Sequence, residues 1–316
     1  MNNENNTDDK NKAVSRRAFL RRAGTDALAT GAAFVPGLAA ANAALKAKGE
    51  GGGAAEAAVQ QATPGKALGD PNVVREEVSY PSGTAQIKAT LLRPKNLSAG
   101  TAPGVIVIHE IFGLNDHIRD VAARLALAGY VALAPDLYSR DGGAPEGTDF
   151  STIRAFVSKI ADDRMVGDLQ AGASYLMTHP LVAGRKVGTV GFCMGGLYVL
   201  LFASQTPALG AGVVYYGRPV YRETTPTKNV SPLTLIPRLT VPLQAHYGEA
   251  DTGIPLADVE ALRAAVAKTS VPNEIYTYKD APHAFHNDTR AEAYREEPAK
   301  LAWGRTLAFF DKHLKG

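Results

Sequence analysis

A series of short, uninterrupted apolar segments, set at intervals between helical patterns, limits this chain to few architectures. "GVIVIHE" (Gly104–Glu110), "YVALAPD" (Tyr130–Asp136) and "KVGTVGF" (Lys186–Phe192) have no polar face to show to water, so each predicts a strand buried on both sides. Ala211–Tyr216, Pro242–Tyr247 and Glu274–Lys279 continue the series, and Val73–Ser79 and Gln86–Arg93 precede it. Between the strands, apolar positions recur at helical spacing over Asp116–Ala128, Ala161–Thr178, Gly195–Ser204, Pro255–Lys268 and Ala291–His313. Such alternation predicts an α/β fold, a mostly parallel central sheet with helices on both faces. The 316 residues, 45% of them hydrophobic, are enough to bury a sizeable core. A formal net charge of +3 without a dense basic run gives no reason to expect nucleic acid as a partner.

Ahead of this domain, "SRRAFL" (Ser15–Leu20) follows a polar start and resembles a twin-arginine export signal. A weakly apolar stretch closes on Ala41-Asn42-Ala43, which fits the small-residue rule for signal peptidase. Gly24, Asp26, Gly31, Pro36 and Gly37 interrupt that stretch, so a membrane-spanning helix is the weaker reading. The expectation is a signal peptide over residues 1–43, an Ala/Gly-rich tether over 44–71 and a catalytic domain over 72–316. The partner implied is the twin-arginine export machinery of a bacterium, and the destination the periplasm or beyond.

The single cysteine, Cys193, rules out an internal disulfide framework. It lies in "TVGFCMGG" (Thr189–Gly196), where a predicted strand gives way to a predicted helix, with Gly191 two before it and Gly195 two after. This is the nucleophile-elbow pattern G-x-S-x-G with cysteine for serine. A side chain on either glycine would collide with the neighbouring strand and helix, and the turn aims the sulfur at the helix N-terminus, which favours thiolate. The Met194 amide is the obvious donor to a developing oxyanion.

In this order of elements the acid and the histidine come later, each on a loop after a strand. Asp251 in "HYGEADTGIP" and His283 in "KDAPHAF" stand there, at carboxyl ends where open α/β sheets carry their sites. Glu249 competes with Asp251, and its simpler reading is a solvated loop residue. His286 competes with His283, read otherwise as a surface or helix-entry histidine; His246, inside a strand, reads as a packed one. Asp251, His283 and His286 show no metal-binding spacing, and neither metal nor cofactor is expected. Ser204 and Ser174 lack an elbow.

Together "HEIFGLN" (His109–Asn115), "PDLY" (Pro135–Tyr138), "GFCMGG", "YYG" (Tyr215–Gly217), "HYGEAD" and "APHAF" resemble the dienelactone hydrolase family, from about residue 80 to the end. The resemblance implies an α/β-hydrolase fold, a Cys193–His283–Asp251 triad, and opening of an enol-lactone or a related small ester or lactone. It also implies that Glu110 helps to deprotonate the thiol when substrate binds and that Ile111 supplies a second oxyanion-hole amide. On the residues alone, Glu110 reads as half of a salt bridge with Arg119 or Arg140. The family's substrate-binding arginine after the histidine is absent: Asn287 stands four positions on, with Arg290 the nearest arginine downstream. Arg154 or Arg164, within the unaligned insert Ser139–Asp163, are candidates for the family's other arginine. The competing reading is a non-catalytic periplasmic binding or thiol-redox protein on an inactivated hydrolase fold.

Overall fold

The computed structural model describes residues 65–145 and 149–316. The export signal expected over 1–43 and most of the tether lie outside the described residues. The folded body begins before Asn72, where the tether was expected to end. Ala67–Gly69 form a 3-10 turn with Ala67 buried, and the Leu68 N–H donates to Asp120 Oδ1 at 3.0 Å.

Eight strands make one sheet in the order β1-β2-β4-β3-β5-β6-β7-β8. They are β1 (Val73–Ser82), β2 (Ala85–Pro94), β3 (Ala102–Ile108), β4 (Val131–Pro135), β5 (Val182–Phe192), β6 (Leu209–Tyr215), β7 (Leu243–Gly248) and β8 (Asn273–Tyr278). From β4 to β8 every pairing is parallel; β1 and β2 run antiparallel at one edge. Every residue of β3, β4, β6 and β7 is buried, as their apolar runs require, whereas β1 alternates exposed and shielded positions, as an edge strand should. The α/β-hydrolase architecture anticipated from the sequence is the one observed.

The helices longer than one turn are α1 (Asp116–Leu127), α2 (Phe150–Ser158), α3 (Asp162–Met177), α4 (Met194–Ala203), α5 (Leu256–Val266) and α6 (Glu296–Phe310). α6 starts five residues later than its expected Ala291. Pro298 has no N–H to give and is tolerated only in a first turn, so the helix begins just ahead of it. α2 falls in the insert that carried no prediction. Its start is marked by Asp149, whose Oδ1 accepts from the Ser151 and Thr152 N–H groups at 2.7 and 3.0 Å.

The chain leaves β3 for β4 on one side and then crosses to β5 on the other. Carboxyl ends of β3 and β5 therefore diverge at a topological switch point, where such sheets leave a crevice.

Candidate active site

The β5–α4 turn is an elbow in fact as well as in pattern. Cys193 has φ 54° and ψ −113°, a conformation that costs a non-glycine residue on the order of 1–3 kcal/mol and persists only where the surroundings impose it. The surroundings are main chain on every side. A Cβ on Gly191 would lie 2.2 Å from the Gly195 carbonyl oxygen, and one on Gly195 would lie 2.2 Å from that of Ile108. Cys193 is half-buried and heads α4, whose first N–H groups have no partner within the helix.

Cys193, Ile111, Met194, Asp251 and His283 line one cleft of about 1020 Å³, at the carboxyl ends of the strands. Asp251 is buried and fully engaged. Its Oδ1 accepts from the Gly253 and Ile254 N–H groups at 2.8 and 3.1 Å, and its Oδ2 lies 2.6 Å from His283 Nδ1. With Nδ1 so occupied, Nε2 is the nitrogen left for the sulfur. Burial disfavours a charged His283 ring, but the bond to Asp251 and the interaction with Cys193 outweigh it, and the pKa rises to about 10. Because this lies above the unfolded value of 6.5, the stabilisation is complete below about 6.5 and is lost as pH rises through about 10.

Among the described residues, the four non-glycine positions with φ between 39° and 62° are Cys193, Tyr216, Asp280 and Ala284. Cys193, Tyr216 and Ala284 carry or adjoin the cleft groups, so backbone strain is concentrated there.

The competitors separate cleanly. Glu249 is exposed and accepts from Thr277 Oγ1 at 2.9 Å, as a solvated loop residue would. His246 is the packed histidine expected, held by Tyr278 and Gln244 at 2.9 Å each. His286 corrects the expectation of a surface position: it is buried, with its ring 5.3 Å from that of Phe192 and 5.6 Å from that of Trp303.

Glu110 also departs from its simplest reading. β3 ends two residues earlier than expected, and Glu110, 1% exposed, does not line the cleft. It makes no salt bridge with Arg119 or Arg140, which pair with Asp116 and Asp168. Instead its Oε2 accepts from Asn287 Nδ2 at 2.9 Å, and Asn287 Oδ1 accepts from the Thr289 N–H and hydroxyl at 3.1 and 2.7 Å. The neutral amide is thus committed within the protein. Below this loop, Asp288 pairs with Arg124 of α1, which also holds Asp120 at 2.6 Å, pinning the segment that carries His283.

Three residues that lie within the quoted motifs, but to which the sequence assigned no role, shape the site. The Tyr138 hydroxyl donates to the Ile111 carbonyl at 2.9 Å and lies 3.3 Å from Met194 Sδ, tying together two residues that line the cleft. His109 Nδ1 lies 2.6 Å from the Glu110 carbonyl oxygen, while its Nε2 accepts from the Leu137 N–H at 3.2 Å; a neutral Nδ1–H ring satisfies both. Tyr216, with its ring 5.1 Å from that of His283, has a fully buried hydroxyl without a hydrogen-bond partner among the described residues. Burial, with the nearby Glu110 and Cys193 charges, raises its pKa well above the ordinary range. Tyr216→Phe removes an unpaired buried group, so thermal unfolding should show unchanged stability or a gain of up to about 1 kcal/mol. A marked loss would mean that the hydroxyl has a partner after all.

With this geometry in place, comparison with known proteins is direct. Residues 87–314 match the model of the dienelactone hydrolase family. This chain belongs to the dienelactone hydrolase family. It is 39% identical over 236 residues to a Salmonella typhimurium relative named "Putative carboxymethylenebutenolidase", covering 74% of this chain and 86% of that one. A Bradyrhizobium relative, "Probable 2-oxo-3-(5-oxofuran-2-ylidene)propanoate lactonase", is 36% identical over 72% of this chain and 90% of its own. The crystal structure of a "Putative Dienelactone Hydrolase" from Klebsiella pneumoniae superposes with a TM-score of 0.72 at 38% identity, covering 76% of this chain and 99% of that one. As a dienelactone hydrolase family member, the protein is a hydrolase acting on ester bonds.

Proposed function

We propose that Cys193 is the nucleophile of this hydrolase and that it opens an enol-lactone, or cleaves a related small ester, through an acyl-enzyme. One observation carries the reading. The only cysteine of the chain stands strained at a helix N-terminus, with the Asp251–His283 pair lining the same cleft.

The His283 pKa of about 10 makes the ring an imidazolium at neutral pH, suited to face a thiolate. The thiolate attacks the substrate carbonyl, and the oxyanion is held by the Ile111 and Met194 amides. As the tetrahedral intermediate collapses, the bond from carbonyl carbon to ester oxygen breaks and His283 Nε2 gives its proton to the departing oxygen. Neutral His283, still oriented by Asp251, then takes a proton from water attacking the thioester. The acid is released, and His283 gives back an imidazolium facing a thiolate. In enzyme whose Cys193 still carries its proton beside an imidazolium His283, Glu110 is the acceptor of that proton when substrate enters, the part the family resemblance implies.

Loss of the imidazolium proton ends the cycle, so kcat/KM for a lactone or aryl ester should fall as pH rises through about 10. Asp251→Asn removes the largest of the interactions that raise the pKa and should move that alkaline limb downward, toward the ordinary histidine range. A pH–rate profile, corrected for hydroxide hydrolysis, tests this; an unmoved limb would exclude His283 as the titrating acid.

Export by the twin-arginine route, and so a periplasmic or secreted enzyme, belongs to the same proposal. N-terminal sequencing of the exported protein should begin after Ala43 and lack Arg16 and Arg17.

A further inference from the structure

One wall of the cleft is built by α2, the helix within the insert. Phe150 and Val157 of α2 line the cleft, joined by Leu197 of α4 and Ile254. Phe150 is 56% exposed and Phe112, beside Ile111, is 38% exposed; their rings stand 6.4 Å apart. Phe112 and Phe150 are two of only five exposed large hydrophobic residues in the described chain, and here they stand together. A hydrophobic pair left in water beside a cleft marks a surface that something apolar covers.

Of the four lysine and arginine side chains that line the cleft, two are paired with carboxylates and a third is hydrogen-bonded to main chain. Lys228 Nζ donates to Asp162 Oδ1, the Tyr198 hydroxyl and the Ile160 carbonyl at 2.7, 2.7 and 2.8 Å, which uses its three protons. Arg290 is paired with Glu292 at 2.9 Å, and Arg218 donates to the Gly253 carbonyl at 3.0 Å. Asn287 is bound to Glu110, and Arg164 pairs with Asp141, away from the cleft lining. Arg154 lines the cleft, its guanidinium 6.0 Å from the centre of the Phe150 ring. The volume, about 1020 Å³, is at the upper end of the range of roughly 300–1,000 Å³ that holds drug-sized ligands.

We infer that Phe150 and Val157 of α2, with Leu197 and Ile254 and with Phe112 beside Phe150, form an apolar subsite that selects neutral esters with an extended hydrocarbon body over compact anionic ones. The inference rests on the hydrolase reading above and names the substrate class for that site.

The experiment uses the full chain and a series of p-nitrophenyl esters: acetate, butyrate, hexanoate and the anionic hemisuccinate. Wild-type kcat/KM should rise at least tenfold from acetate to hexanoate and should be lower for hemisuccinate than for butyrate. Phe150→Ala should cut the hexanoate-to-acetate ratio at least fivefold, while Leu301→Ala, at a comparably exposed leucine of α6, leaves the ratio as it was. A flat or falling chain-length profile, a ratio untouched by Phe150→Ala, or a preference for hemisuccinate that Arg154→Gln abolishes would each overturn the subsite. Calorimetric binding of the uncleaved amide N-(4-nitrophenyl)hexanamide to Cys193→Ala reads the subsite without turnover; Phe150→Ala in that background should weaken it about fivefold, and equal affinity would overturn the inference. Failure of the nucleophile reading looks different: Cys193→Ala would then still turn over the esters, whatever their chain length.

Discussion

Cys193→Ala is expected to lower turnover of any ester or lactone substrate by at least about 10³-fold, since removing a nucleophile leaves only binding and the oxyanion donors. Its fold should survive. Alanine keeps the Cβ that already tolerates φ 54°, and the sulfur lost is half-buried in the cleft, so little packing goes with it. Cys193→Ser should sit lower than wild type as well, because the hydroxyl has no comparable fraction of anion at neutral pH. Circular dichroism and a thermal melt check the fold, and steady-state hydrolysis of p-nitrophenyl acetate checks the activity. Retained activity in a well-folded Cys193→Ala would exclude the assignment and place the nucleophile elsewhere, whereas a binding or redox role would show as no turnover in the wild type.

Gly195→Ala should be among the most damaging single substitutions in the chain. Its new Cβ would meet the Ile108 carbonyl oxygen at 2.2 Å and that of His109 at 2.7 Å. Both are main-chain atoms at the end of a strand paired on both sides, so neither can yield without disturbing the sheet. A loss of about 3–5 kcal/mol is expected, read as a melting temperature lower by about 10 °C or as failure to accumulate folded protein. Gly304→Ala is the control: it lies within α6, where nothing stands within 4 Å of the added carbon. That change should be neutral or stabilising by up to about 1 kcal/mol, because alanine favours the helix. Equal melting temperatures for the two variants would contradict the close packing at the elbow.

Much of this was legible in the chain itself, for a local reason. Strand and helix periodicity depends on neighbours, and a stretch such as Leu209–Tyr215 cannot be anything but buried. The glycines round Cys193 and the later positions of Asp251 and His283 are likewise order along the chain. The chain is least legible where a local signal is weak or overridden. Asp149 is the one local mark of α2, whose segment follows no family pattern, and Pro298 sets the start of α6 later than its apolar spacing suggests.

Read alone, then, the chain specifies its elements, their order, and the three side chains on which hydrolysis is proposed to turn, since each depends on residues a few positions away. Folding settles matters of distance. Glu110 meets Asn287 from 177 positions off, the Tyr138 hydroxyl reaches the Ile111 carbonyl, and α2 becomes one wall of the cleft. Those pairings follow from which surfaces the sheet brings within a few ångströms of one another, and no window along the sequence contains them.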